Sequence, residues 1–200
     1  MRSRRFVVGA AGLVVGLALA GLAAAGPLDT PGYAKAFTCS ACHGFGGNSQ
    51  ADAMPILAAM PPAYFKKAIQ DYAAGRRPSP EMSPYSKMVM QLGVDDVAAY
   101  FAVQSRQPSR AKLDPAAVER GKAASAPCVV CHGADGKGDV AKLIPSLAGQ
   151  PPGYLRNQMA LFKADRRSPG DEALKAVKTL MKTIPDETLG DLAAYYSSLR

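Results

Sequence analysis

All four cysteines and both histidines of this 200-residue chain lie in two pentapeptides, "CSACH" and "CVVCH". They are Cys39, Cys42 and His43 in the first, then Cys128, Cys131 and His132 in the second. Two thiols three residues apart lie on one helical turn, so both can form thioethers with one edge of a porphyrin. The next residue then turns its imidazole onto the iron. Each C-x-x-C-H pentapeptide therefore predicts one covalently bound haem c group, two in all.

Other uses of these cysteines fit the sequence less well. A redox-active dithiol in a thioredoxin-like fold needs a surrounding strand–helix pattern, and none is visible. A zinc site built from two C-x-x-C pairs leaves no role for the histidine directly after each second cysteine. Two structural disulfides are possible in an exported protein. Because two copies of one motif use every cysteine and every histidine, haem attachment is the favoured interpretation.

The first 25 residues predict a targeting segment. The basic stretch "MRSRR" precedes a long uncharged apolar run, which ends in Ala23-Ala24-Ala25 before Gly26. This pattern is typical of a secretory signal peptide, although the run is also long enough for a retained N-terminal anchor. Either way, we expect the folded part to be periplasmic, with membrane attachment only through this segment. Without its three arginines, the formal charge falls from +8 to +5 and forms no basic block, which disfavours nucleic-acid binding.

The remainder of the chain is an internal repeat. The segment "MPILAAMPPAYFKKA" in the first half matches "IPSLAGQPPGYLRNQ" in the second, with Met60 opposite Gln150. Further matched pairs are Gly32 and Gly121, Pro55 and Pro145, Tyr64 and Tyr154, Arg76-Arg77 and Arg166-Arg167, and "VAAYF" and "LAAYY". The repeat predicts domains over residues 26–103 and 115–200, joined by a polar linker over residues 104–114.

Apolar residues recur at helical spacing in both halves, and no useful stretch alternates with the period of a strand. The sequence therefore predicts an all-α chain. A domain of about eighty residues is only marginally stable through its own core, so bound haem would supply missing apolar surface.

Together these motifs closely resemble the dihaem class I cytochromes c of the class called c-four, across nearly all of residues 33–199. The resemblance implies two tandem cytochrome c domains, each wrapped around its haem, that carry electrons rather than catalyse a reaction. It implies His and Met as the axial ligands of both irons. It also implies that the carbonyls of Pro55 and Pro145 orient the two histidines.

The methionine ligands are less clearly defined than the histidines. In the second half we assign Met181. In the first half Met82, Met88 and Met90 are candidates; we favour Met82, because the family's ligand lies about eighteen residues before the tyrosine of the last helix. A loop is expected after Met82. Met181 is only fourteen residues before Tyr195, so the second distal loop should be shorter or differently folded.

The sequence predicts outer-sphere electron transfer between redox proteins, such as a quinol-oxidising complex, a dehydrogenase or a terminal oxidase. The positive charge favours an acidic docking patch on the partner. One alternative is the dedicated cytochrome subunit of an exported dehydrogenase, and a less favoured one is a dihaem peroxidase, which needs a displaceable ligand. The paired arginines are interpreted either as partners of haem propionates or as solvated charges at helix ends.

Overall fold

The structure is a computed structural model that describes residues 30–200. The described residues form helices, three short 3-10 turns and a single isolated β-bridge, so the all-α prediction is confirmed. The helices are α1 (Gly32–Ala36), α2 (Ser40–His43), α3 (Pro62–Ala73), α4 (Met82–Leu92), α5 (Val94–Ala102), α6 (Pro115–Ala124), α7 (Ala126–His132), α8 (Pro152–Lys163), α9 (Lys175–Thr183) and α10 (Thr188–Ser198). The predicted targeting segment, residues 1–25, lies outside the described residues. Within residues 30–200, no helix is both long and apolar enough to span a membrane.

Each half begins and ends with helices that pack closely against each other. A Cβ atom added to Gly32 on α1 would lie 2.0 Å from the carbonyl oxygen of Asp96 on α5. A Cβ atom added to Gly121 on α6 would lie the same 2.0 Å from the carbonyl oxygen of Asp191 on α10. Only glycine permits this approach, because any side chain would collide with the backbone. The glycine that precedes each C-x-x-C-H motif therefore sets a repeated helix crossing.

The segment after each C-x-x-C-H motif folds back in the same way in both halves. The backbone N–H of Leu57 donates to the carbonyl of Gly47 at 2.8 Å, and that of Leu147 donates to Gly136 at the same distance. Both glycines have positive φ, 78° and 69°, which glycine adopts without strain. The folded-back segment carries Pro55 in the first half and Pro145 in the second past the histidine of its own motif.

Each half has its own cluster of buried apolar side chains. The first includes Phe65 from α3, Val89 from α4 and Phe101 from α5. The second includes Leu155 from α8 and Leu192 from α10. Burial of such side chains stabilises each half by roughly 2 kcal/mol per residue, before the entropic cost of folding.

The loop predicted after Met82 is wrong, because α4 begins at Met82 itself. Pro84 lies in the first turn of α4, where its missing N–H would have no helical partner. The hydroxyl oxygen of Ser79 accepts the N–H of Met82 at 3.1 Å and so replaces one of the absent bonds. The polar, proline-containing sequence thus starts a helix instead of interrupting one.

The segment of the second half that carries Met181 is folded differently from its counterpart in the first half. This was one of the two alternatives that the sequence left open. A 3-10 turn, Glu172–Leu174, precedes α9, and four residues connect α9 to α10 where only Gly93 connects α4 to α5. The segment is longer than its counterpart overall. Met181 lies in the last turn of α9, which accounts for its short distance in sequence from Tyr195.

Candidate functional site

The first C-x-x-C-H motif presents a neutral, oriented imidazole. His43 ends α2 and is 4% exposed, and its Nδ1 lies 2.8 Å from the carbonyl oxygen of Pro55. Because a carbonyl can only accept, Nδ1 carries the proton and Nε2 keeps its lone pair. Burial lowers the pKa of His43, although the Pro55 carbonyl opposes this shift. The imidazole is therefore prepared to bind a metal through Nε2.

A cavity in the first half brings together every residue that the sequence predicts for the first haem. Its lining includes Cys39, Cys42, His43, Pro55 and Met82. The rest of the lining is largely apolar and comes mainly from α3 and α4, with Tyr154 from the second half.

The other two candidates on α4 are placed differently from Met82. Neither Met88 nor Met90 lines the cavity, and Met90 is 40% exposed. Of the three methionine candidates in the first half, the structure therefore brings only Met82 into the same cavity as His43.

The second C-x-x-C-H motif repeats the proximal arrangement. His132 ends α7, and its Nδ1 donates to the carbonyl oxygen of Pro145 at 3.1 Å. Burial lowers the pKa of His132, as it does for His43. Cys128 packs against the apolar cluster of its half, next to Tyr196 on α10, and burial raises the pKa of its thiol. Both predicted proline carbonyls therefore contact the predicted histidines.

Met181 occupies a buried position on α9, at 5% exposure. Each distal helix buries two residues three apart: Ser86 and Val89 on α4, Lys178 and Met181 on α9. If the two buried pairs are matched, Lys178 corresponds to Ser86 and Met181 corresponds to Val89, which lines the cavity of the first half. The apolar cluster around Cys128 does not include Met181. The two distal ligands predicted from the sequence are thus at different helical positions.

The paired arginines have unequal environments, which neither sequence interpretation anticipated. Arg76 is exposed and pairs with Asp71, and Arg166 is exposed. Arg77 is 2% exposed and lies between the halves. Its Nε donates to the side-chain oxygen of Gln158 at 2.9 Å, and one NH2 group donates to the hydroxyl of Tyr154 at 2.7 Å. Arg77 is therefore an interface residue and not a solvated charge.

Arg167 makes the reciprocal contact with a tyrosine of the other half and also binds Gln158 of its own half. It donates to the same oxygen of Gln158 at 3.0 Å and to the hydroxyl of Tyr64 at 3.0 Å. The matched Tyr and Arg positions of the repeat thus cross-pair between the halves. Matching positions were visible in the sequence, but the pairing was not. Gln158 was missed altogether, since its counterpart in the first half is Ala68.

These arginine contacts test whether the site fits a haem. The buried Arg77 and the half-buried Arg167 share one neutral oxygen, and the Nε atom of Arg167 is buried without a partner. Burial alone would raise the pKa of Tyr64, but Arg167 and Arg77 outweigh it and lower that pKa. Buried cations on neutral partners favour a nearby anion. Since Arg77 also lines the first cavity, a haem with its propionates fits the residues present.

The rival uses of the cysteines find no support among residues 30–200. No disulfide joins any two of the four cysteines, all of which lie in this range. No group of three or more His, Cys, Asp or Glu residues in this range could hold a metal ion.

Comparison with known proteins gives a consistent result. The family model described as cytochrome c matches residues 118–200. Cytochrome c4 of Pseudomonas aeruginosa is 31% identical over 196 residues, which cover 94% of this chain and 96% of that protein. The crystal structure of reduced recombinant cytochrome c4 from Pseudomonas stutzeri superposes with a TM-score of 0.74 at 28% identity, covering 84% of this chain and 97% of that one.

A relative with a more specific name is also similar. The thiosulfate dehydrogenase electron acceptor of Stutzerimonas stutzeri is 28% identical over 181 residues, which cover 82% of this chain and 80% of that protein.

Proposed function

The chain belongs to the cytochrome c4 family, and on that premise we propose that it carries electrons between periplasmic redox proteins through two covalently bound haem groups. The predicted membership of the dihaem class I cytochromes c is confirmed. Covalent haem c and a role as an electron carrier follow from that membership. The observation that carries the proposal is the repeated pair of C-x-x-C-H motifs, each with its histidine held by a proline carbonyl.

We assign the haem-binding residues as the sequence predicted them. Thioethers form at Cys39 and Cys42 in the first half, and at Cys128 and Cys131 in the second. His43 with Met82 would ligate the first iron, and His132 with Met181 the second. When bound, each haem supplies a one-electron Fe(III)/Fe(II) couple. The methionine sulfur is a soft donor that favours Fe(II), which raises the potential.

The two prolines act through their carbonyls. Each one accepts the Nδ1–H of its histidine, which fixes the ring orientation and raises the basicity of Nε2. A more basic ligand favours Fe(III), so this bond opposes the effect of the methionine. The balance between the two ligands, together with the burial of the haem, would contribute to the potential of each half.

The predicted organisation stays part of the proposal. Residues 26–103 and 115–200 are the two domains, and residues 104–114 are the linker. Residues 1–25 direct export to the periplasm, and they attach the protein to the membrane only if they are retained. A methionine candidate in each half argues against a peroxidase, because that enzyme needs one haem with an open or displaceable site.

Redox proteins are the proposed partners, and one specific donor has support. A relative that covers most of this chain is named as an electron acceptor of thiosulfate dehydrogenase. A dehydrogenase of that kind is therefore a second candidate partner, beside a quinol-oxidising complex or a terminal oxidase. Stopped-flow mixing of the oxidised protein with a reduced dehydrogenase or quinol-oxidising complex, and of the reduced protein with a terminal oxidase, compares these partners by the rate constant of electron transfer.

The ligand assignment is tested by removing each sulfur from the holoprotein. Met82→Ala and Met181→Ala should each abolish the sulfur-to-iron charge-transfer band of one haem. Met88→Ala is the matched control, because Met88 lies on α4 outside the cavity. An unchanged spectrum in Met82→Ala or Met181→Ala would refute that assignment. Haem loss from the Met88 control would show that the assay reports only on folding.

A further inference from the structure

One residue of the second half holds the backbone next to the proximal histidine of the first. Gln150 is buried and makes two hydrogen bonds to Ile56. Its side-chain oxygen accepts the N–H of Ile56 at 2.8 Å, and its side-chain nitrogen donates to the carbonyl of Ile56 at 2.9 Å. Residues 52–56, which we call the first strap, are thus fixed at one end by a residue ninety-four positions away.

The other end of the first strap is fixed by the second half as well. Asp52 accepts the N–H of Gly153 on its carboxylate at 2.9 Å, and its carbonyl accepts the N–H of Tyr154 at 2.9 Å. These two donors belong to the first turn of α8 and have no helical partner of their own. Pro55 lies between the two attachment points.

The segment before Pro145 in the second half, residues 139–145, is held by hydrogen bonds within itself. The N–H of Asp139 donates to the carbonyl of Ile144 at 3.0 Å, and the N–H of Ile144 donates back at 2.9 Å. In the repeat, Met60 stands where the second half has Gln150, and its thioether has no N–H to donate. The two halves therefore hold their proximal carbonyls by different means.

The N–H that Gln150 accepts and the carbonyl that His43 contacts belong to one peptide group. The Ile56 nitrogen is bonded to the Pro55 carbonyl carbon, and such a unit is planar. A continuous chain of hydrogen bonds runs from the Gln150 oxygen through this peptide group to His43 Nδ1, and both of its bonds measure 2.8 Å. An acceptor on the N–H polarises the peptide and makes its carbonyl oxygen a stronger acceptor.

We propose that Gln150 is a positioning residue for the first haem, and that docking of the second domain thereby lowers the potential of the first. The inference rests on the proposed function, because it takes His43 as the iron ligand. Through the peptide group, Gln150 strengthens the bond to His43 Nδ1 and raises the basicity of Nε2, which favours Fe(III). Separation of the domains would remove this effect and move the first haem towards Fe(II).

The test replaces Gln150 with the residue found at the matching position of the first half. In the full-length holoprotein, Gln150→Met removes both bonds to Ile56 while it keeps a similar side-chain volume. Redox titration should show the Fe(III)/Fe(II) ratio of the first haem falling about three- to tenfold at fixed ambient potential, where tenfold corresponds to about 59 mV. The second haem should not change. Haem methyl resonances identify each haem in the titration. Those assigned through Ala41 belong to the first haem, and those assigned through Val130 belong to the second.

Two further variants keep the test decisive. Ser168→Ala is the matched control, because it removes another bond between the halves, from the Ser168 hydroxyl to Asp71, without touching the strap. It should leave both potentials unchanged. Asp52→Ala removes the carboxylate bond at the other end of the first strap and leaves the backbone bond to Tyr154 in place. It should move the first haem in the same direction as Gln150→Met does, and it serves if the latter fails to fold.

The outcomes separate this inference from the proposed function. If two haems are attached and the potential of the first haem is the same in the wild type, in Gln150→Met and in Asp52→Ala, the proposed role of Gln150 is overturned. The proposed function is not affected by that result. Equal shifts of both haems, or an equal shift in Ser168→Ala, would also overturn it, since a general loosening of the interface would explain them. A wild-type protein without two haems would instead refute the proposed function.

Discussion

A methyl group added at Gly121 is expected to disrupt the crossing of α6 and α10. The new Cβ atom would lie 2.0 Å from the Asp191 carbonyl oxygen and 2.8 Å from Cβ of Tyr195. Carbon and oxygen atoms without a bond between them need at least about 3 Å, so the helices must separate by about 1 Å. Because both neighbours are close to the backbone, no rotation of a flexible side chain can relieve the contact.

The cost follows from the overpacking of a rigid contact. Such substitutions destabilise proteins by about 1–3 kcal/mol, and a collision with backbone lies at the upper end of that range. About 3 kcal/mol is a large part of the stability of a small domain. It corresponds to a fall in Tm of about 12–24 °C for a domain of this size.

Thermal unfolding of the holoprotein, followed by circular dichroism, measures this effect. Gly190→Ala is the matched control, since Gly190 lies on α10 with open space around its Cβ position. There the better helix propensity of alanine should raise stability by up to about 1 kcal/mol. If the second domain of Gly121→Ala unfolds within about 2 °C of the wild type, the proposed close crossing is refuted.

Three further predictions test capping, charge and association. Asp114→Ala should destabilise the second domain by about 1 kcal/mol in the same assay, because the Asp114 carboxylate caps α6 by accepting the N–H of Ala116; an unchanged Tm would contradict this. Burial alone would raise the pKa of Asp71, but Lys67 and Arg76 outweigh it and lower that pKa. The stabilising contribution of the Asp71 carboxylate is therefore complete above its ordinary pKa near 3.8 and is lost as the pH falls through the lowered pKa. Asp71→Asn should therefore weaken the dependence of the unfolding free energy on pH in the acid range. If that dependence is the same in Asp71→Asn and the wild type, the prediction is wrong. Association with an acidic partner should weaken as salt is added, and a salt-independent rate would contradict electrostatic docking.

The proximal side of the site could be predicted from local sequence alone. The C-x-x-C-H spacing, the following proline and the preceding glycine all act within one small domain, and each repeats in the second half. Two copies of a pattern reveal which positions matter structurally. His43 with Pro55, and His132 with Pro145, are consequently found where the sequence predicts them.

The distal side was harder to predict, because helix boundaries depend on small local energies. Pro84 and the polar residues around it favoured a loop, yet α4 begins at Met82, where the Ser79 hydroxyl accepts the N–H of Met82 and the Ser79 carbonyl accepts that of Ser83. The extra residues before and after α9 shift Met181 relative to Met82. Spacing from the last helix therefore could not define both ligands by one rule.

The interface between the halves was beyond the reach of the sequence. The repeat shows that Tyr64 matches Tyr154 and that Arg77 matches Arg167, but not that each arginine binds the other half's tyrosine. Gln150 illustrates the same limit. It lies in the repeat opposite Met60, and its role becomes visible only when Ile56 is seen beside it.

The most direct test of the central claim is the intact mass of the purified, exported protein under denaturing conditions. Covalent attachment predicts a chain that carries the mass of two haem groups, and one haem in each of two variants, Cys39→Ala/Cys42→Ala and Cys128→Ala/Cys131→Ala. A wild-type chain whose mass shows no haem, or haem that dissociates on denaturation, would contradict the account.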